Sequence, residues 1–147
     1  MNSKIDSLKV TLDRRNDDYL FQAKGKTGVS VYIDNSSVEE VKGASPMELL
    51  LMGVGGCNAI DIVSILKKQR QEVTGYRIEV EGSRKEVREA KPFSAIHLRI
   101  LLEGNIVPAK AKRAAELSFE KYCSVSFSID SKIKVSHEIL INGELID

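Results

Sequence analysis

The sequence has no tryptophan, and its four tyrosines and four phenylalanines bring aromatic residues to only 5%. That leaves little from which to build a base-stacking surface for nucleic acid. Charge of one sign is missing as well. Twenty-two basic residues meet 21 acidic ones, for a net charge of +1, so no whole-surface field draws in a polyanion or an anionic membrane. Histidine and cysteine occur twice each. Cys57, His97, Cys123 and His137 form neither a CxxC nor an HxxxH pair, and no metal site or other cofactor is expected from them. There is no P-loop, no GxGxxG after a strand and no GxSxG elbow. The longest apolar run, Met47 to Leu66, is interrupted by Glu48, Asn58, Asp61 and Ser64, so no membrane span is expected. The N-terminus, MNSKIDSLKV, has no signal-type apolar core. The expected setting is the cytoplasm, where thiols stay reduced and a pair of cysteines points to chemistry rather than to a structural staple.

What is present suits one α+β domain over residues 1–147. The chain is 42% hydrophobic and 29% charged, long enough for a substantial core. Alternating stretches LKVTLD, YLFQAK and VSVYID predict three antiparallel strands, with RRNDD as the first turn. Asn35 to Ser45 reads as a loop. Ser45-Pro46-Met47-Glu48 then predicts a helix start, with serine as N-cap, proline at the first helical position and glutamate closing a capping box. This helix is expected to reach about Arg70 and, being apolar nearly all round, to lie in the core. Two long strands around a turn at Ala90 to Pro92 follow, with Ile96, Leu98, Ile100 and Leu102 facing inward. A second helix from Pro108 towards Cys123 puts Ala111, Ala115, Phe119 and Tyr122 on its apolar side, and KIKVSHEIL closes as a strand. Helices segregated from hairpins in this way define an α+β order. His97 and His137 read as exposed strand histidines.

The stretch GVGGC, at the centre of the first helix, is the informative one. Each helical glycine costs about 1 kcal/mol against alanine, so Gly53, Gly55 and Gly56 are there for something other than helix stability. A phosphate cradle is excluded, because backbone N–H groups two to three turns inside a helix are already bonded. Small residues beside Cys57 leave room for a close-packed segment or a small substrate. Asp61 and Ser64 follow Cys57 at i+4 and i+7, placing the thiol on a polar seam. A thiolate there needs a cation, since Asp61 pushes the other way. Arg14 or Arg15 in the first turn could supply it.

These residues resemble the OsmC/Ohr family of thiol-dependent hydroperoxide reductases. The resemblance lies in SPMELLLMGVGGC, with cysteine eleven residues after the proline, and in EKYCSVSFSI at the end of the next helix. It implies an OsmC-like fold and an intertwined homodimer. It implies Cys57 as the attacking cysteine, Cys123 as the resolving cysteine, and a thiolate-holding arginine, by turn position Arg15. The expected partners are a small organic hydroperoxide and an external dithiol. Two positions depart from the family pattern. Met47 stands where the family has a glutamate, and Ser124 where it usually has proline. Glu48, nine positions before Cys57, falls on the opposite side of an ideal helix and does not inherit the missing role. The alternatives on the same scaffold are a non-catalytic pocket for a small hydrophobic ligand and a redox sensor without turnover.

Overall fold

The structure, a computed structural model, describes residues 4–147, and the chain divides into two compact units, Met1–Leu49 and Leu50–Asp147.

The first unit is an antiparallel meander of β1 (Thr11–Arg14), β2 (Phe21–Lys24) and β3 (Ser30–Ile33), in the order β1-β2-β3. Arg14 pairs with Phe21, and Phe21 with Ile33. The turn between β1 and β2 is held by Asn16, whose side-chain oxygen accepts the N–H groups of Asp18 and Leu20 at 3.0 and 3.1 Å. This is the local use of asparagine that makes it a turn residue. The first strand is shorter than its alternation suggests. Leu8 and Val10 precede it and stand exposed, Leu8 at 95%. The Asn35–Ser45 loop is ordered by Asp34, which is buried and accepts the N–H groups of Asn35 and Lys42 at 2.8 and 3.0 Å. Gly43 lies so close to β3 that a Cβ would fall 2.6 Å from the Tyr32 backbone.

The second unit packs helices on a four-stranded sheet of order β4-β5-β6-β7. Its long helix, α1 (Pro46–Lys68), starts at the predicted capping box. Ser45 N–H donates to the Glu48 carboxylate at 3.0 Å, and Glu48 N–H donates to the Ser45 hydroxyl at 3.2 Å. Past Lys68 the chain turns away at Arg70, in the left-handed region at φ 57°, with Gln71 N–H bonded back to Leu66 O. Strands β4 (Glu72–Arg84) and β5 (Phe93–Asn105) form the long antiparallel hairpin. Then come α2 (Pro108–Leu117), a single π-helical turn (Ser118–Tyr122), the short α3 (Ser124–Ser128), β6 (Lys134–Ile141) and β7 (Glu144–Leu145). β6 runs parallel to β5, with Ile100 opposite Ile139. The sheet is therefore mixed rather than purely antiparallel, because the chain crosses over through α2 and α3 before returning. The core joins Ile62 and Leu66 of α1 to Ile100, Leu102, Ile139 and Ile141 of the sheet and to Ala111, Ala114 and Ala115 of α2.

Two expectations change, the first about α1. By length and composition the helix is sufficient to cross a membrane, despite its polar residues, yet only 28% of its most apolar window is buried within the chain. It is thus a core helix on one side only. Val54, Gly55, Asn58, Ile62 and Leu66 are buried, whereas Leu50, Met52 and Ile60 are exposed, Ile60 at 72%. One 98-residue unit has no second layer to cover the remaining face. The other change concerns His137, which is half-buried rather than exposed. It stacks on Phe119 of the π-helical turn, with ring centroids 4.5 Å apart and planes 6° from parallel. Its burial lowers its pKa, with Glu116 opposing and His97 reinforcing the shift. His97 keeps its place on the open face, with Nδ1 2.8 Å from Ser136 Oγ.

Candidate active site: two thiols and a carboxylate

Gly55 is what allows α1 to lie close on the sheet. A Cβ there would come within 2.7 Å of Val80 Cγ2, whereas at Gly56 it would meet nothing within 4 Å. With Gly55 against β4, Cys57 turns towards the junction of the π-helical turn and α3. Cys123 sits at that junction, fully buried. The π-helical turn closes through Cys123 N–H donating to Ser118 O at 2.8 Å, and Cys123 then caps α3. Its sulfur accepts from Ser126 N–H at 3.4 Å and from Ser126 Oγ at 3.1 Å. Serine at 124 in place of proline thus leaves a competent helix start.

Both cysteines are free thiols. The sulfurs of Cys57 and Cys123 and a carboxylate oxygen of Asp61 all lie within 4.8 Å of one another. The i, i+4 relation of Cys57 and Asp61 was legible in the sequence, and the structure brings Cys123 to the same point. A disulfide needs the sulfurs at about 2.05 Å, so closure requires a movement of about 3 Å or less. Desolvation pushes the Cys57 thiol above its ordinary value, and Cys123 and Asp61 add to the rise. The Val125 backbone N–H, which donates towards the sulfur, opposes it.

Asn58 and Ser118 belong to the site too, and sequence reasoning passed over both. Each is fully buried. The Asn58 side-chain amide donates to Val54 O at 2.9 Å, and the Ser118 hydroxyl lies 2.7 Å from Asn58 Oδ1 and 2.9 Å from Asp61 Oδ2. Asn58 had shown only as a polar break in an apolar run. Its link to Ser118 crosses 60 residues and leaves no local signal. Beside the carboxylate opens a cleft of about 450 Å³ lined by Asp61, Ser64, Ile65, Lys68, Leu117 and Tyr122.

The arginines lie in the first unit. Arg14 Nε donates to Asp18 O at 2.9 Å, and Arg15 Nε donates to Gln22 Oε1 at 2.7 Å. Glu48 is committed to the helix cap, and its bonds with Ser45 hold its carboxyl below the usual value.

A long helix with one face on a mixed sheet, with one cysteine mid-helix and a second at the end of the next, defines a class of protein, and the chain belongs to it: the family of OsmC-like proteins, whose sequence model matches residues 39–138. Protein YhfA of Escherichia coli K12 is 36% identical over 118 residues, covering 80% of this chain and 86% of YhfA. A hypothetical protein from Aquifex aeolicus superposes with a TM-score of 0.79 at 31% identity, over 94% of this chain and 99% of that one. The organic hydroperoxide resistance protein OhrB of Bacillus subtilis shares the fold, with a TM-score of 0.62 at 19% identity, over 92% of this chain and 98% of its own.

Proposed function

We propose that the protein reduces organic hydroperoxides, with Cys57 as the attacking sulfur and Cys123 as the resolving one. The observation that carries this reading is the approach of two free thiols to within 4.8 Å, one half-buried on α1 and one fully buried at the cap of α3. The hydroperoxide resistance named for the Bacillus protein of the same fold supports it. The Cys57 thiolate attacks the terminal oxygen of the peroxide. The O–O bond breaks, the alkoxide takes a proton to leave as alcohol, and Cys57 becomes a sulfenic acid. Cys123 then attacks that sulfur, a disulfide forms and water departs. An external dithiol restores both thiols by exchange. Arg15 supplies the cation that favours the thiolate. A second copy of the chain covers the exposed face of α1, and the domain works as a homodimer in a reducing compartment, the cytoplasm.

One observation favours a second reading. The raised pKa of Cys57 keeps it a neutral thiol, which suits a pocket that binds a small hydrophobic molecule without changing it. Consumption of an alkyl hydroperoxide in the presence of a dithiol separates the two. With dithiol, wild type is expected to turn over repeatedly and Cys57→Ser to consume nothing; in a parallel run without added thiol, Cys123→Ser is expected to stop after one equivalent at the sulfenic acid, where wild type stops at the disulfide. A wild-type protein that consumes no hydroperoxide leaves the binding reading in place.

A further inference from the structure

Asp61 is an unusual neighbour for two sulfurs that must become anionic. It lies one turn after Cys57, within 4.8 Å of both, where a carboxylate opposes thiolate formation. Among the described residues no basic side chain forms an ion pair with it. Its side-chain hydrogen-bond partner is Ser118. Asn58 has its amide N–H on Val54 O, so its Oδ1 faces Ser118 as an acceptor. Asp61 Oδ2 faces the same hydroxyl. A serine hydroxyl carries one proton, and here it confronts two acceptor oxygens. The set is completed when one more proton arrives on Asp61: Asp61 then donates to Ser118, and Ser118 to Asn58. Asn58 and Ser118 are fully buried, so packing holds this geometry, while the half-buried Asp61 carboxylate reaches the edge of the cleft.

From this we infer that Asp61 is the proton-transfer residue of the disulfide-forming step, an inference that rests on the hydroperoxide reading above. The Cys123 thiol passes its proton to the Asp61 carboxylate as its sulfur attacks the Cys57 sulfenic acid. The S–S bond forms, and the S–O bond breaks with its electron pair on oxygen. The departing hydroxide takes the proton back from Asp61 and leaves as water. Atoms and charge balance without a further reactant, and Asp61 ends as it began. The other titratable groups facing this point are Cys57 and Cys123 themselves, with Lys68 of α1 and Tyr122 of the π-helical turn across the cleft.

The test follows one turnover. Reduced protein with a chelator present is mixed with one equivalent of alkyl hydroperoxide and quenched over time. Sulfenic acid and disulfide are then counted by mass spectrometry across a range of pH. In Asp61→Asn the side-chain oxygen still accepts from Ser118, but the amide can no longer take up a proton and return it. Cys57 is expected to reach the sulfenic acid while disulfide closure slows about 100-fold, the scale of general acid–base catalysis. Its closure rate is then expected to rise with pH, following thiol ionisation alone. Ser118→Ala, which keeps the carboxylate but loses its partner, is expected to slow closure by a smaller factor. Wild-type closure is expected to slow in heavy water. Closure at the wild-type rate and with the wild-type pH profile in Asp61→Asn overturns the inference and leaves the hydroperoxide reading standing, as does wild-type closure indifferent to heavy water. A wild-type protein that never forms the sulfenic acid overturns both.

Discussion

A cysteine attacks a peroxide as thiolate, and the surroundings of Cys57 disfavour that form. Desolvation, a second thiol and a carboxylate all raise its pKa. An acid with a raised pKa stays protonated to higher pH, so the reactivity of Cys57 should climb through the alkaline range unless a cation lowers the value again. On the present account that cation is Arg15. Arg15→Ala should shift the pH midpoint of Cys57 alkylation upward and slow the reaction near neutrality, while Arg14→Ala does less. Alkylation rates measured against pH check this, and equal or reversed effects of the two substitutions assign the cation elsewhere. At this scale the sequence was readable where chemistry is local. Glu48 was explained by its cap, and Asp61 was placed beside Cys57 by helical spacing. It was silent where partners are distant, as with Asn58 and Ser118.

The elements show the same division. The start of α1 was legible to the residue, because a capping box satisfies backbone N–H groups within four positions. The turn before Pro92 and the long hairpin were legible from alternation. The π-helical turn was not, since one inserted residue leaves the 3.6-residue pattern almost intact. It nonetheless sets the site by carrying Ser118 and delivering Cys123. The parallel pairing of β6 was also hidden, because strand partners depend on the path of the chain. The glycines of α1 were seen to need a reason, but the reason divides between them. Gly55 is required by Val80, at 2.7 Å from a would-be Cβ, while Gly56 borders open space. Val80 is β-branched and fixed in a strand, so it yields little. Gly55→Ala should therefore destabilise the fold by about 1–2 kcal/mol, as overpacking outweighs the gain of about 1 kcal/mol in helix propensity. Chemical denaturation checks it, and an alanine variant as stable as wild type would contradict the close packing of α1 on β4.

At the scale of the molecule the unmet demand is apolar surface. Leu50, Met52 and Ile60 are exposed on α1, and Leu8, Val10 and Leu12 in the first unit. Exposed apolar area on this scale marks an interface, and a second copy of the chain is the partner the family resemblance implies. Wild type should sediment as a dimer at micromolar concentration, and Ile60→Glu should shift it towards monomer. A wild-type monomer would contradict the account. The central claim, that Cys57 and Cys123 form one redox pair, is tested most directly by peptide mapping after one equivalent of organic hydroperoxide. The account predicts an intramolecular Cys57–Cys123 disulfide in wild type, a trapped sulfenic acid at Cys57 in Cys123→Ser, and no oxidised sulfur in Cys57→Ser. Two thiols surviving unmodified in excess hydroperoxide would contradict it.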